Sequence, residues 1–114
     1  MHELSIAQNL LDIVSAQCLK DGFKEIESIN IKVGKASGIM PDALSFGFDA
    51  IKTDTIAKNA CLNIAEIPVT GSCRDCNFVF TVEEEYVLCC PYCKGPSFVI
   101  TAGRELDIVD MEVS

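Results

Sequence analysis

The sequence predicts an α+β fold, in which two helices cover a small β-sheet and a short metal-binding ribbon is inserted before the last strand. Two observations favour it: helix-type and strand-type hydrophobic periods alternate in the first half of the chain, and two Cys-x-x-Cys pairs follow in the second half. The length of 114 residues suits one ordinary domain with a small insert. We assign residues 1–70 and 102–114 to the larger domain and residues 71–101 to the ribbon.

The first predicted element is an amphipathic helix over residues 4–19, where apolar residues recur at helical spacing. Ser5 and Gln8 have the spacing of a capping box at its start. Lys20 and Gly22 predict where it ends.

The next elements predicted are a strand, a shorter helix and a second strand. Residues 25–33 alternate between apolar and polar side chains, as a half-buried strand does. Pro41 stands where a first helical residue would. The apolar face of that helix consists of Leu44, Phe48 and Ile51. Alternation resumes in residues 60–69, which predicts the second strand.

The ribbon is predicted to contain three short β-type runs, at residues 78–82, 86–88 and 98–101, with three glutamates at 83–85 forming the turn between the first two. Residues 106–113 form a last apolar strand. We expect that strand to rejoin the sheet of the larger domain, so that the ribbon is an insertion and not a tail.

The strongest motif is the pair Cys73-x-x-Cys76 and Cys90-x-x-Cys93, separated by 13 residues. Four thiolates in two knuckles suit the tetrahedral coordination of Zn²⁺ and predict a zinc ribbon. Disulfides and a rubredoxin-like iron site are alternative uses of the same cysteines. Since four thiolates leave no coordination position for water, such a zinc ion would be structural.

Three further cysteines, Cys18, Cys61 and Cys89, lie in or beside apolar stretches, where a free thiol commonly behaves as a small buried hydrophobe. Cys89 has no role that the sequence assigns. Free thiols fit a reducing cytoplasm, and no signal peptide or membrane-spanning run is apparent.

The chain is acidic, with a formal net charge of −8 at pH 7. Zinc held by four thiolates would lower that charge by two, to about −10. The nine Lys and Arg residues are scattered, whereas nucleic-acid binding normally requires a basic patch. The charge therefore argues against nucleic acid, and the lack of a long apolar run argues against a membrane partner.

The single histidine, His2, follows directly on the α-amine of Met1. The amine, the His2 amide and the imidazole could close fused chelate rings around one ion, and the amide of Glu3 could complete a plane of four nitrogens. Planar nitrogen coordination suits Ni²⁺ or Cu²⁺ and not Zn²⁺. Without further context, a histidine in this position is more often a solvated terminal residue.

Motifs along the whole chain resemble those of the hydrogenase nickel incorporation family HypA/HybF. The motifs that carry the resemblance are the opening Met1-His2-Glu3-Leu4-Ser5-Ile6-Ala7, the turn Val33-Gly34, the run Ser37-Gly38-Ile39-x-Pro41, the run Leu44-x-Phe46-x-Phe48-Asp49 and the two cysteine pairs. They occur in the family's order.

The resemblance implies a nickel metallochaperone that serves [NiFe]-hydrogenase, and in some organisms urease, together with a nickel-associated GTPase. Ni(II) would be its cargo and the hydrogenase large subunit precursor its recipient. By position, His2 would supply the imidazole ligand, with the Met1 amine and the His2 and Glu3 amides as nitrogen donors. Cys73, Cys76, Cys90 and Cys93 would bind zinc, and the family's fold joins a two-layer nickel domain to a zinc domain.

Two rival functions come from other classes of protein. A zinc-ribbon adaptor would bind partners without any transition-metal role. A thiol-redox enzyme would cycle one cysteine pair through a low-pKa thiolate. The sequence shows no acid/base pair, phosphate loop or nucleophile constellation, so we do not expect an enzyme.

Overall fold

A computed structural model describes residues 3–84 and 86–114 of the protein. The elements in chain order are α1 (Glu3–Lys20), β1 (Ile26–Gly34), α2 (Pro41–Ile51), β2 (Cys61–Ile67), β3 (Val69–Cys73), β4 (Val79–Val82), β5 (Phe98–Ala102) and β6 (Leu106–Val113). The strands form two three-stranded sheets, ordered β2-β1-β6 and β4-β3-β5. The predicted α+β fold is confirmed.

The first sheet is built around β1, which pairs in parallel with β2 and antiparallel with β6. The alternation predicted for β1 is confirmed, because Ile29, Ile31 and Val33 are at most 1% exposed while Lys32 is exposed. These side chains pack with both helices in one core. The fully covered helix residues of that core are Ala7, Cys18, Leu44 and Phe48.

The helices differ from the prediction only at the start of α1. The helix begins at Glu3, so Ser5 lies inside the first turn and cannot cap it. Gln8 donates forward to Asp12 Oδ1 at 2.9 Å. The predicted capping box is therefore wrong, whereas α2 begins at Pro41 as expected. Within the described residues, neither helix is long and apolar enough to cross a membrane.

The second sheet is centred on β3, whose residues were not predicted to form a separate strand. The apolar run of residues 60–69 breaks at Pro68, and β3 leaves the first sheet to pair antiparallel with both β4 and β5. Tyr86 and Leu88 form no strand and are 69% and 80% exposed. The strand predicted at residues 86–88 is wrong.

The last strand, β6, pairs with β1 as expected, from Leu106 opposite Val33 to Val113 opposite Ile26. It lies at the edge of the sheet, and its register shifts between Asn30 and Ile31 of β1. Although the strand is rich in apolar residues, the side chains from Leu106 to Asp110 are exposed. The final strand returns to the first sheet after the ribbon.

Of the three extra cysteines, only Cys18 is buried as predicted. Cys61 is exposed because it lies opposite Ser28, on the face of the sheet that the helices do not cover. Cys89 is partly exposed in the segment before the second knuckle. For Cys61 and Cys89, the burial predicted from the adjacent apolar residues is wrong.

The two sheets meet at Gly34 and Gly103, whose backbones are in direct contact. A Cβ atom at Gly34 would overlap the carbonyl group of Gly103, and one at Gly103 would lie 2.7 Å from Val69 Cα. Backbone hydrogen bonds cross the same point, from Gly34 N to Glu105 O at 2.8 Å and from Ala36 N to Gly103 O at 2.7 Å. This junction therefore requires glycine at both positions.

We expect Gly34→Ala to lower the free energy of unfolding by about 3 kcal/mol, since the added methyl group meets backbone that cannot rotate away. The matched control is Gly47→Ala within α2, where a Cβ atom would lie 3.5 Å from Leu4 Cα. That change should be neutral or stabilising by up to about 1 kcal/mol. Equal stability of the two variants in urea denaturation would contradict the junction described here.

Candidate metal centre

The four predicted cysteines converge on one point at the end of the second sheet. Their Sγ atoms all lie within 4.8 Å of one another, and within residues 3–84 and 86–114 they form the one group of metal-ligating side chains found. Cys73 Sγ lies 3.6 Å from Cys93 Sγ, and Cys76 Sγ lies 3.7 Å from Cys90 Sγ. A tetrahedron with metal–sulfur bonds of about 2.3 Å has edges of roughly 3.8 Å, so these two pairs of sulfurs already have the spacing of ligands in a four-thiolate site.

The two knuckles share one backbone pattern. In the first, Cys73 N donates to Phe78 O at 2.9 Å and Asn77 N donates to Cys73 O at 3.1 Å. In the second, Cys90 N donates to Gly95 O and Lys94 N donates to Cys90 O, both at 2.9 Å. Each knuckle therefore presents its two sulfurs from a hydrogen-bonded loop of the same shape.

Both loops close through a residue in the left-handed region, Asn77 at φ 62° and Lys94 at φ 65°. Asparagine adopts this conformation at little cost, whereas lysine adopts it less readily. A Cβ atom at the following Gly95 would lie 3.2 Å from Cys93 Sγ and close to the flexible end of the Asp75 side chain. The left-handed conformation of Lys94 therefore gives the second knuckle a higher local backbone cost than Asn77 gives the first.

Backbone amides surround the sulfurs. Asp75 N and Cys76 N lie 3.4 and 3.5 Å from Cys73 Sγ. In the second knuckle the equivalent donors to Cys90 Sγ are Tyr92 N and Cys93 N, also at 3.4 and 3.5 Å. Gly95 N lies 3.4 Å from Cys93 Sγ. These donors stabilise thiolates over thiols and so favour the form that binds metal.

The four thiols differ in how easily they ionise. Burial disfavours the Cys90 thiolate, but the amides of Cys93 and Tyr92 and the neighbouring thiols outweigh it and lower the pKa of Cys90 to about 7. The amide of Phe78 favours the Cys76 thiolate, yet desolvation and the other three cysteines raise the pKa of Cys76 to about 12. The pKa of Cys93 is also raised, since hydrogen bonding with Cys73 and desolvation oppose the donor Gly95 N.

The knuckles are also joined by an aromatic pair. The rings of Phe78, which follows the first knuckle, and Tyr92, which lies within the second, stack with centroids 5.2 Å apart and planes 25° apart. Both rings are substantially exposed. Cys73 and Cys90 are at most 1% exposed, so one sulfur of each knuckle is shielded from water.

All seven cysteines are free thiols, so the disulfide alternative is not realised. A closed tetrahedron of four thiolates fits zinc, and fits iron in the rubredoxin manner, and leaves no open coordination position. The chemistry that such an ion supplies is structural: it holds the two knuckles together.

The other predicted site is at the start of the chain. Met1 and His2 lie outside the described residues. Glu3 is the first residue of α1, and its Oε2 accepts a hydrogen bond from the backbone N–H of Met40 at 3.2 Å. Met40 immediately precedes α2 and provides no side-chain cap of its own. The Glu3 carboxylate therefore holds the beginning of α1 against the beginning of α2.

Sequence reasoning missed one contact between the two sheets. Lys35 Nζ lies 2.6 Å from Glu83 Oε2, so the residue after β1 is joined to the residue after β4. The two residues are 48 positions apart, and no periodicity or motif connects them. The left-handed Asn77, by contrast, could have been suspected from its place directly after Cys76.

Comparisons with known proteins agree with this architecture. Residues 1–113 match the family described as hydrogenase/urease nickel incorporation, metallochaperone, hypA. The hydrogenase maturation factor HypA of Chloroflexus aggregans is 40% identical over 112 residues, covering 98% of each chain. That of Rhizobium leguminosarum bv. viciae is 37% identical over 113 residues, covering 99% of each chain.

Among solved structures, the Ni metallochaperone HypA of Helicobacter pylori is similar in fold, with a TM-score of 0.69 and 24% identity, covering 99% of this chain and 97% of that one. A second HypA solution structure gives a TM-score of 0.72 over the whole of this chain and 97% of its own. Since the family match spans nearly every residue and the curated relatives exceed 30% identity, the chain belongs to the HypA family of hydrogenase maturation factors, which are nickel-incorporation metallochaperones and not enzymes.

Proposed function

We propose that this protein binds Ni(II) at its first three residues and delivers it during maturation of [NiFe]-hydrogenase, with a structural zinc ion in the four-cysteine site. The observation that carries the proposal is the family match over residues 1–113, which includes both the opening Met1-His2-Glu3 and the four cysteines. The convergence of the four sulfurs within 4.8 Å of one another supports the structural metal site independently of the family match.

The two metal sites have different donor atoms, and we propose a different role for each. The thiolate tetrahedron is closed and partly buried, so it suits a resident ion that is not exchanged. The terminal amine, amides and imidazole form a planar nitrogen set, which suits Ni(II), and a chain terminus is physically accessible to a recipient. We propose residues 1–70 with 102–114 as the nickel-binding domain and residues 71–101 as the zinc ribbon.

Purified protein should contain one zinc ion per chain. Cys73→Ser should lose stoichiometric zinc and destabilise the ribbon, because zinc sites of this kind supply roughly 10–16 kcal/mol of folding free energy. Cys61→Ser is the matched control, since Cys61 is a free, exposed cysteine outside the cluster. Metal analysis and thermal denaturation provide the measurements. Iron in the wild-type protein, or full zinc content in Cys73→Ser, would contradict the assignment.

Zinc binding at pH 7 should release protons. Because the pKa of Cys76 is about 12 and that of Cys93 is raised, both are thiols at pH 7 in the metal-free protein and must lose a proton to bind. Zinc affinity should therefore rise as the pH rises above 7. Calorimetry in two buffers of different ionisation enthalpy measures the released protons, and a buffer-independent binding enthalpy would contradict this expectation.

Nickel binding should depend on the free N-terminus. His2→Ala, or a form extended by residues before Met1, should lose the tight planar nickel complex while retaining zinc. Nickel affinity should also fall as the pH is lowered, because the α-amine, with a reference pKa of roughly 7.7–8.0, must be deprotonated to coordinate. Titration of untagged protein, followed by absorption spectroscopy and calorimetry, tests each point.

An extended form that binds nickel as tightly, with the same planar spectrum, would exclude the amine chelate. If His2→Ala lost nickel but left hydrogenase maturation intact, the chain would instead act as a zinc-ribbon adaptor.

For the delivery function we propose a cytoplasmic location, with the nickel-associated GTPase and the hydrogenase large subunit precursor as partners. Urease is a further recipient to be tested in the same way.

A further inference from the structure

The last strand of the first sheet, β6, has a neighbouring strand on one side only within the described residues. We propose that its outer side, which we call the β6 edge (residues 106–113), binds an extended segment of a partner protein. That segment adds to the sheet as a fourth strand and carries alternating basic and apolar side chains. The inference goes beyond the proposed nickel delivery, because the β6 edge contains none of the proposed metal ligands.

The backbone of β6 is free to accept another strand. The strand is eight residues long and pairs antiparallel with β1. In the part of the chain that the structure describes, no backbone hydrogen bond joins residues 106–113 to any element other than β1. Alternate N–H and C=O groups therefore point away from the sheet, and such a row is a template for strand addition.

Apolar side chains at the start of β6 are left open to solvent. Leu106, Ile108 and Val109 are 44%, 39% and 53% exposed. The residues of β1 opposite the first two are buried, so this is the face of the sheet that the helices cover. The core reaches Met111 further along β6 but leaves the first half of the strand uncovered. Apolar residues of an added strand would bury part of this surface.

The other face of β6 is acidic because of a β-bulge. The pairing with β1 shifts between Ile108 and Asp110, which leaves Val109 as an extra residue on β6. Strict alternation would place Asp107 and Asp110 on opposite faces of the sheet, whereas the extra residue brings both to the same face. Glu112 follows two residues later and lies on that face as well. The bulge thus creates a row of three carboxylates.

These carboxylates are not neutralised within the molecule. Among the described residues, none of the three is in an ion pair. Asp110 accepts a hydrogen bond from Asn30 Nδ2 at 2.6 Å, and of the β1 residues opposite the row, Lys32 alone is a cation. Negative charge therefore remains in excess. A basic segment complements it, whereas an acidic strand or a second copy of this chain would set like charges against one another.

The two faces together define the pattern of the partner. Successive side chains of a strand point to opposite faces, so the segment carries Lys or Arg beside the three carboxylates and apolar residues beside Leu106 and Ile108. Main-chain hydrogen bonds give such a complex its affinity, and the alternation gives it specificity. Exposed ion pairs contribute about 1.5- to fivefold each. Removing all three charges should therefore weaken binding by at least about threefold.

The probe is a seven-residue peptide that alternates lysine and valine, with both termini blocked so that no terminal charge contributes. Zinc-loaded wild-type protein should bind it. Hydrogen exchange of alternate amides in residues 106–113, measured by NMR, should slow when the peptide is bound. A second peptide has the same composition in two blocks, with all lysines before all valines, and should bind more weakly because it cannot place the two residue types on separate faces.

The variant Asp107→Asn/Asp110→Asn/Glu112→Gln should bind the alternating peptide at least about threefold more weakly than the wild-type protein. A matched control has the same net charge but neutralises exposed carboxylates of α1, β2 and the segment after β4, in Asp12→Asn/Glu66→Gln/Glu84→Gln. It should bind like the wild-type protein. Charge reversal in Asp107→Lys/Glu112→Lys should transfer binding to a peptide with glutamate in place of lysine.

Three results would overturn the inference. The first is no binding of the alternating peptide by the wild-type protein at about millimolar concentration, the range of weak complexes. The second is equal binding of the two lysine peptides, or of the triple variant and its control, which would indicate unspecific attraction of charge. The third is slowing of the same amides when the protein is concentrated without peptide, which would make a second copy the occupant. None of these results bears on nickel or zinc binding, so the proposed function is tested separately.

Discussion

The contact between Gly34 and Gly103 is the constraint that sets the relation between the two halves of the molecule. Gly34 is the last residue of β1, and Gly103 lies in the connection from β5 of the ribbon to β6 of the first sheet. Because the two backbone segments are this close, neither position can carry a side chain. The hydrogen bonds from Gly34 N to Glu105 O and from Ala36 N to Gly103 O satisfy backbone polar groups at this point. The ribbon is therefore joined to the first sheet by packed backbone on both connections and not by a loose linker.

The two sheets on either side of that contact are stabilised in different ways. The first sheet has a conventional hydrophobic core shared with the helices, in which residues such as Phe48 and Ile29 are fully buried. The second sheet contributes few buried side chains, Val69 and Phe80 among them. A small sheet of this kind cannot bury enough apolar area alone, which explains why its cysteines are positioned to use a metal ion.

Periodicity and spacing predicted what depends on local sequence. The alternation of β1, the proline that starts α2 and the two cysteine pairs all encode their structures within a few residues. The central place of β3 could not be foreseen, because it depends on Gly71 lying beneath the ring of Phe80, where a Cβ atom would be 2.6 Å from the ring. The Lys35–Glu83 pair likewise exists only after both sheets have formed.

The exposed edge strand β6 bears on how copies of this protein meet one another. An apolar edge such as Ile108 and Val109 invites pairing with another strand. Here Asp107, Asp110 and Glu112 lie along the same strand, and its register is interrupted near Asn30. Two copies aligned edge to edge would bring these carboxylates together. Repulsion between these carboxylates therefore opposes edge-to-edge aggregation of the protein in a crowded solution.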